Sequence, residues 1–279
     1  MKSLTVRKIL KLGILGFAIF SGWYVGSRLE FEDPFAPSPH FEGTYMTKEA
    51  IQEDPLRAIS LTQDAAKQQY AAFANLIKIL DQNGIDYWIT CGTLLGAVRH
   101  EGLIPYDDDV DIFIKEADTK KLFALKSDLK TVGLGIYQDR PSIKIYQLNG
   151  SHVRPKKKSF KIMDGLWFVR RKTERFPTID VYPTKEENGL IVHANRRARL
   201  NFSHKYYRVQ DVFPLRGYQF GPLYVKGPNF PDFHLEKAYG PKWREELVYV
   251  GTHIAGGNEK LLIPLTPELE KRLFRFGTP

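Results

Sequence analysis

The sequence predicts a mixed α/β domain, and three features of its patterning say so. Apolar residues recur at helical spacing over residues 62–83, strand-like apolar runs accumulate from residue 86 onward, and helices come first with mostly strands after them. At 279 residues, 43% hydrophobic and 26% charged, the chain is globular in composition and can bury the core of one principal domain without staples. Its single cysteine, Cys91, excludes an internal disulfide and a cysteine-rich zinc site.

The helix over 62–83 carries Tyr70, Phe73, Ala74, Ile77 and Leu80 on one stripe, with Gly84 placed to stop it. A short strand over 86–90 follows. A glycine-containing turn then leads into a short helix over 93–98 and a strand over 110–114. Another helix is predicted over 118–132, capped by Asp118 and ended by Gly133. Strand-like runs recur over 135–137, 143–148, 166–169 and 178–182, and no internal repeat is visible.

Ahead of this domain, Leu12 to Val25 is uninterrupted by charge and follows Lys2, Arg7, Lys8 and Lys11. The run is short of the roughly 20 apolar residues of a full span. Yet Val25-Gly26-Ser27 is a poor cleavage site, and Trp23 and Tyr24 suit a membrane interface. The expectation is a basic cytosolic tail (1–11), a signal-anchor (12–26), a proline-bearing stem (27–60) and a catalytic domain (61–279). Glu30, Glu32 and Asp33 after the span agree with that orientation. A single-pass type II membrane protein follows, on the Golgi membrane in a eukaryote or the inner membrane of a bacterium. Secretion after cleavage is the alternative. Asn149-Gly150-Ser151 and Asn201-Phe202-Ser203 fit the glycosylation pattern that a lumenal domain could use.

The net charge of +9 suits anionic partners. Part of it is concentrated in residues 154–175, where Lys156, Lys157, Lys158, Lys161, Arg170, Arg171, Lys172 and Arg175 form either a solvated loop or a phosphate-binding segment. Without regularly interleaved aromatics or a recognition motif, that segment argues against nucleic acid.

Chemistry concentrates in residues 87–114. In Asp109-Val110-Asp111-Ile112, strand alternation projects Asp109 and Asp111 together while Val110 and Ile112 enter the core. Adjacent carboxylates repel unless a cation lies between them, and Mg2+ or Mn2+ is the natural hard, oxygen-binding partner. A charged strand entry would show the same pattern. Upstream, Gly92-Thr93 stands between a strand and a helix, where unpaired amides, the helix dipole and the Thr93 hydroxyl suit phosphate oxygens. Ordinary helix capping is the plain alternative. The two features together match the way nucleotidyltransferase-type enzymes hold nucleotide phosphates over a metal.

The stretch Gly92-Thr93-Leu94-Leu95-Gly96-Ala97-Val98-Arg99-His100-Glu101-Gly102, followed by Ile104-Pro105-Tyr106-Asp107-Asp108-Asp109-Val110-Asp111-Ile112, resembles the signature of the LicD family of phosphocholine and fukutin-type ribitol-phosphate transferases. Ile179-Asp180-Val181-Tyr182-Pro183 and Tyr239-Gly240-Pro241-Lys242-Trp243 resemble its later elements, so the likeness covers about residues 70–247. It implies a nucleotidyltransferase-like core with flanking helices. It also implies metal-binding roles for Asp109 and Asp111, and a third carboxylate, Asp180, that holds metal or serves as general base. Gly92 and Thr93 would bind donor phosphate; Arg99 and Lys144 are further phosphate candidates, Arg99 with an acidic partner as its alternative and Lys144 with a plain outward position. His100 reads as structural, and Asp107 and Asp108 as supports of the site. Some fukutin-related members carry a cysteine-bound zinc, which a lone Cys91 cannot reproduce, so no structural zinc is expected.

The expected reaction moves a phosphate-linked group, phosphocholine or a polyol phosphate such as ribitol phosphate, from a CDP-activated donor to a glycan hydroxyl. A glycosyltransferase using a D-x-D motif with a nucleotide-sugar, and a catalytically inactive scaffold, are the rivals. The intact carboxylates count against the scaffold, and the Gly-Thr turn against the glycosyltransferase.

Overall fold

The computed structural model describes residues 41–42, 52–55, 60–107, 109–139, 141–152, 161–163, 166–168, 175–201, 206–250 and 260–273. The expected anchor over 12–26, most of the stem and of the basic stretch 154–175, Asp108 and the end of the second glycosylation triplet lie outside the described residues. Among those described, no helix is long and apolar enough to cross a membrane.

After two short strands, β1 (Phe41–Glu42) and β2 (Ser60–Leu61), comes the long helix α1 (Gln63–Gln82). It starts where it does because the Thr62 hydroxyl accepts from the amide of Ala65 at 3.1 Å, and it stops at Gly84, whose φ of +58° breaks the helical path. Strand β3 (Tyr87–Ile89), helix α2 (Cys91–His100) and strand β4 (Asp109–Lys115) follow. Helix α2 begins two residues before the expected start, since the Thr90 carbonyl already accepts from Leu94 at 3.0 Å. Gly92 and Thr93 therefore lie inside its first turn.

The helix expected over 118–132 is instead two helices, α3 (Thr119–Ala124) and α4 (Lys126–Thr131), broken at Leu125. A 3-10 turn, Glu116–Asp118, precedes them, so the Asp118 side chain makes no capping hydrogen bond. Then come β5 (Leu134–Asp139), β6 (Ser142–His152), β7 (Lys161–Met163), β8 (Leu166–Phe168), β9 (Arg175–Glu187) and β10 (Leu190–His193). The chain continues through α5 (Arg196–Asn201), β11 (Tyr207–Arg208), α6 (Val209–Val212), β12 (Arg216–Phe220) and β13 (Leu223–Gly227). It closes with α7 (Asp232–Tyr239), β14 (Glu246–Val250), β15 (Lys260–Pro264) and α8 (Pro267–Leu273).

A seven-stranded mixed sheet positions everything else. Strand β9 lies at its heart, parallel to β4, which is antiparallel to the edge strand β3. At 13 residues, β9 is long enough to pair with β4 on one side, and on the other with β6 along its first half and β10 along its second. Strands β5 and β11 complete the sheet on β6 and β10. The alternation in β4 sorts its faces: Val110, Ile112 and Ile114 go to one side, and Asp109, Asp111 and Phe113 to the other. Helix α1 packs on the first face, where Phe73 meets Tyr87, the cross-strand partner of Ile114, edge to face with ring centroids 6.1 Å apart. Burial of each such large apolar side chain contributes about 1.5–3 kcal/mol. Buried Gln69 adds a polar tie, donating from Nε2 to the Thr178 carbonyl at 2.8 Å.

One glycine decides how closely α2 can approach the loop that follows it. A Cβ on Gly96 would stand 2.2 Å from the carbonyl oxygen of Gly102, a backbone atom fixed by the left-handed cap at Glu101 (φ +57°). Gly96→Ala is therefore expected to cost at least about 1–3 kcal/mol of stability as overpacking, read by urea unfolding. A cost within experimental error would show that the loop gives way.

Candidate active site

Strand register builds the site. In the parallel pair, Asp111 of β4 stands opposite Asp180 of β9, and on the other side of β9 the antiparallel β6 brings Lys144 opposite the same Asp180. Lys144, Asp180 and Asp111 thus form one row across three strands, with Asp109 two residues along β4 on the same face. One oxygen from each of Asp109, Asp111 and Asp180 lies within 4.8 Å of the others. Three hard oxygen donors from half-buried and buried carboxylates suit Mg2+ or Mn2+.

Asp180 is the most constrained of the three. Its Oδ2 accepts from the Tyr182 hydroxyl at 3.2 Å, and Lys144 Nζ lies 2.6 Å from Oδ1 as an ion pair without the angle of a well-directed hydrogen bond. Burial raises its pKa, Lys144 opposes the rise and the charge of Asp109 adds to it, leaving the carboxyl above the usual carboxylate range. Tyr182 is held far above the usual phenol range, first by burial and then by the charge of Asp111, so it stays protonated and donates. Beneath the carboxylates, on the same face, Phe113 is ringed by Trp88, Tyr182, Tyr207 and His193 at centroid distances of 5.9, 6.1, 5.8 and 5.2 Å.

The corner from β3 into α2 abuts the carboxylates. Thr90 donates its amide to the Asp111 carbonyl at 3.0 Å and shares a 2.8 Å hydrogen bond with the Tyr207 hydroxyl, while Cys91 takes a φ of +48°. A non-glycine residue in that region costs on the order of 1–3 kcal/mol and persists only where its surroundings hold it. Thr93 Oγ1 accepts from the amide of Asp111 at 2.8 Å, pinning the helix start to the strand. Gly92 has a steric reason to be glycine: a Cβ there would stand 2.2 Å from Asp107 Oδ2. The Asp107 carboxylate therefore sits against the start of α2, where the helix dipole favours a negative charge.

Arg99 is turned to the carboxyl-terminal part of the fold. Its Nη1 donates to the carbonyls of Glu246 at 3.1 Å and Trp243 at 3.5 Å, and its Nε donates to His100 Nδ1 at 3.4 Å. It joins α2 to the Trp243 element. Gly92, Thr93, Lys144 and the three aspartates come together at the end of the sheet where β4 begins, and Arg99 is spent on this joint. Sequence reasoning quoted Tyr182 within a family element but gave it no role, although its place two residues after Asp180 puts it on the same strand face. A cavity of about 550 Å³, bordered by Lys115, Asp86, Lys226, Asp81 and Tyr224, lies at the far end of β4 and is separate from this site.

A nucleotidyltransferase-type domain is the class this arrangement defines: a strand-to-helix corner beside a strand with paired carboxylates, completed by a third on the parallel neighbour. The chain belongs to the LicD/FKTN/FKRP nucleotidyltransferase-domain family, whose model matches residues 84–230. Among curated proteins, an uncharacterised protein of Rickettsia prowazekii is 25% identical over 82% of this chain and 76% of its own length. Ribitol 5-phosphate transferase FKRP of Homo sapiens is 23% identical over 56% of this chain and 32% of its own length. This chain thus spans about a third of that human relative. Lipopolysaccharide cholinephosphotransferase LicD of Haemophilus influenzae is 53% identical over 30 residues, 11% of each chain. Among solved structures, the lincosamide antibiotic adenylyltransferase LnuA, with lincomycin bound, aligns with a TM-score of 0.32 and 13% identity over 56% of this chain and 78% of that one. A likeness at that level carries no argument.

His100 shows a fixed tautomer. Its Nε2 faces the Leu103 carbonyl at 3.0 Å and must donate, while Nδ1 accepts from Arg99 Nε. Burial, then the neighbouring Arg99 charge, lowers its pKa to about 3. Folded His100 is neutral, whereas in the unfolded chain it takes a proton below about pH 6.5. Its contribution to stability is therefore intact above that pH and is progressively lost as pH falls from about 6.5 toward 3. In urea unfolding across that range, His100→Gln is expected to have a shallower acid dependence than wild type. Identical slopes would show that His100 is charged in the folded state.

Proposed function

We propose that this protein is a metal-dependent phosphotransferase that moves a phosphate-linked group from a CDP-activated donor to a glycan hydroxyl, releasing CMP. The observation that carries this reading is the meeting of Asp109, Asp111 and Asp180 oxygens within 4.8 Å of one another. Family membership supports a phosphate-group transferase. The names of the human and Haemophilus relatives favour ribitol phosphate or phosphocholine as the group transferred.

In this reading Asp109, Asp111 and Asp180 together hold Mg2+ or Mn2+, which supplies charge stabilisation to the diphosphate and its leaving oxygen. Thr93, whose oxygen already accepts from Asp111, turns its hydroxyl proton toward a donor phosphate oxygen from the first turn of α2, where Gly92 lets the backbone come close. The acceptor hydroxyl oxygen forms a bond to the phosphorus bearing the transferred group. The bond from that phosphorus to the CMP oxygen breaks, and the hydroxyl proton passes to solvent water. Tyr182 holds Asp180 in place through Oδ2, and its buried setting favours a ligand role for Asp180 over that of a mobile base. Positioning and electrostatics suffice for such transfer, with no covalent intermediate on the protein. The basic residues before the apolar run 12–25 support an anchored domain facing a lumen, or the far side of a bacterial inner membrane.

CMP release measured by mass spectrometry, with Mn2+ or Mg2+ and a panel of CDP-choline, CDP-ribitol, CDP-glycerol and UDP-sugars, tests the reading. Turnover is expected with a CDP-alcohol and none with a UDP-sugar; the reverse would establish a glycosyltransferase. Asp109→Asn and Asp111→Asn are expected to abolish turnover and the Mn2+-induced rise in Tm while keeping the fold, and Asp180→Asn to lose at least about a hundredfold in rate. Full activity in either of the first two variants at saturating metal would sink the metal assignment.

A further inference from the structure

We infer that Lys144 is the resident counter-ion of the carboxylate cluster and changes partner during the reaction cycle, leaving Asp180 when the metal binds and taking a phosphate oxygen of the donor. This deepens the metal-dependent reading above and rests on it.

Several observations carry the inference together. Strand register, not chance, puts Lys144 beside Asp180, because the two residues are direct partners in the antiparallel pair of β6 and β9. The ammonium lies 2.6 Å from Asp180 Oδ1, with side chains 13% and 8% exposed, so each charge has lost much of its water. Oδ1 nevertheless has no directed hydrogen bond, whereas Oδ2 has one from Tyr182. The same carboxylate belongs to the triad whose oxygens gather within 4.8 Å.

These positions conflict once the triad is loaded. Oδ2 is taken by Tyr182, which leaves Oδ1 to the metal; an ion about 2.1 Å from Oδ1 would come within roughly 5 Å of the ammonium 2.6 Å from the same oxygen. Two positive charges so close, in a site where burial weakens screening, repel strongly. Lysine is suited to move: its charge sits on a flexible four-carbon stem with three rotatable donors, so it can pivot without shifting β6. The donor diphosphate brings negative charge to the same end of the sheet. The phosphate contact expected from the sequence and the Asp180 contact seen in the fold are then two positions of one side chain. Before loading, Lys144 offsets the repulsion among the carboxylates. After loading, it neutralises the donor.

Lysine acylation footprinting on the wild-type protein tests this. A brief pulse of N-hydroxysuccinimidyl acetate, with peptide mass spectrometry, reads the labelling rate at Lys144 with and without Mn2+, and Tm is measured on the same samples. Mn2+ alone is expected to raise Tm and to raise Lys144 labelling severalfold. Labelling at Lys115 and Lys226, which pair with Asp86 and Asp81 away from the cluster, should stay constant. D180N should label faster at Lys144 than the wild type with no metal present. A Tm rise with unchanged Lys144 labelling would overturn the exchange and leave the metal reading standing. No Tm response in the wild type would overturn both.

Discussion

Three carboxylates within 4.8 Å of one another repel, each pair by on the order of 3 kcal/mol at an effective dielectric constant of about 20 and less where water reaches them. Something stronger must hold them there, and it is the parallel pairing of β4 with β9. Seven residue pairs in register, from Asp109 with Thr178 to Lys115 with Thr184, fix the carboxylates as a by-product of a pairing whose other face is a buried apolar core. A slip of one residue would bury Asp111 and expose Ile112, so the hydrophobic face enforces the register of the charged one.

The rest of the site follows from that pairing. Long β9 draws β6 to its other side, and β6 supplies the ammonium opposite Asp180. The corner between β3 and α2 is pinned to β4 from two directions, through Thr90 at the Asp111 carbonyl and Thr93 at the Asp111 amide. These contacts hold the left-handed backbone at Cys91, a conformation the chain would not adopt alone. Strain at one residue is balanced by hydrogen bonds on both sides of it. The start of α2 is thereby set beside the carboxylates with little freedom to drift, the condition under which a phosphate site is preorganised.

Arg99 and His100 show how the same short helix serves stability at its other end. Arg99 reaches the carbonyls of Trp243 and Glu246 and donates to His100, which in turn donates to Leu103. One helix thus packs against the carboxylate cluster at its start and carries a structural joint at its finish. An arginine near a phosphate motif has two physical uses, and its hydrogen-bond partners decide which it performs.

What the sequence determined by itself was local. The period of 3.6 residues revealed α1, alternation revealed β4 and the shared face of Asp109 and Asp111, and the Gly92 to Asp111 block carried the family resemblance. The tertiary structure decided what depends on residues far apart in the chain. It brought Asp180, which the resemblance had implied, beside Asp111 through a parallel register, set Lys144 against Asp180, turned Arg99 to Trp243, seated Asp107 on Gly92 and broke the helix at Leu125. Spacing along the chain reports which side chains share a face of one element. Which elements meet, and at what offset, is settled by burying apolar faces together, and no single stretch of sequence contains that choice.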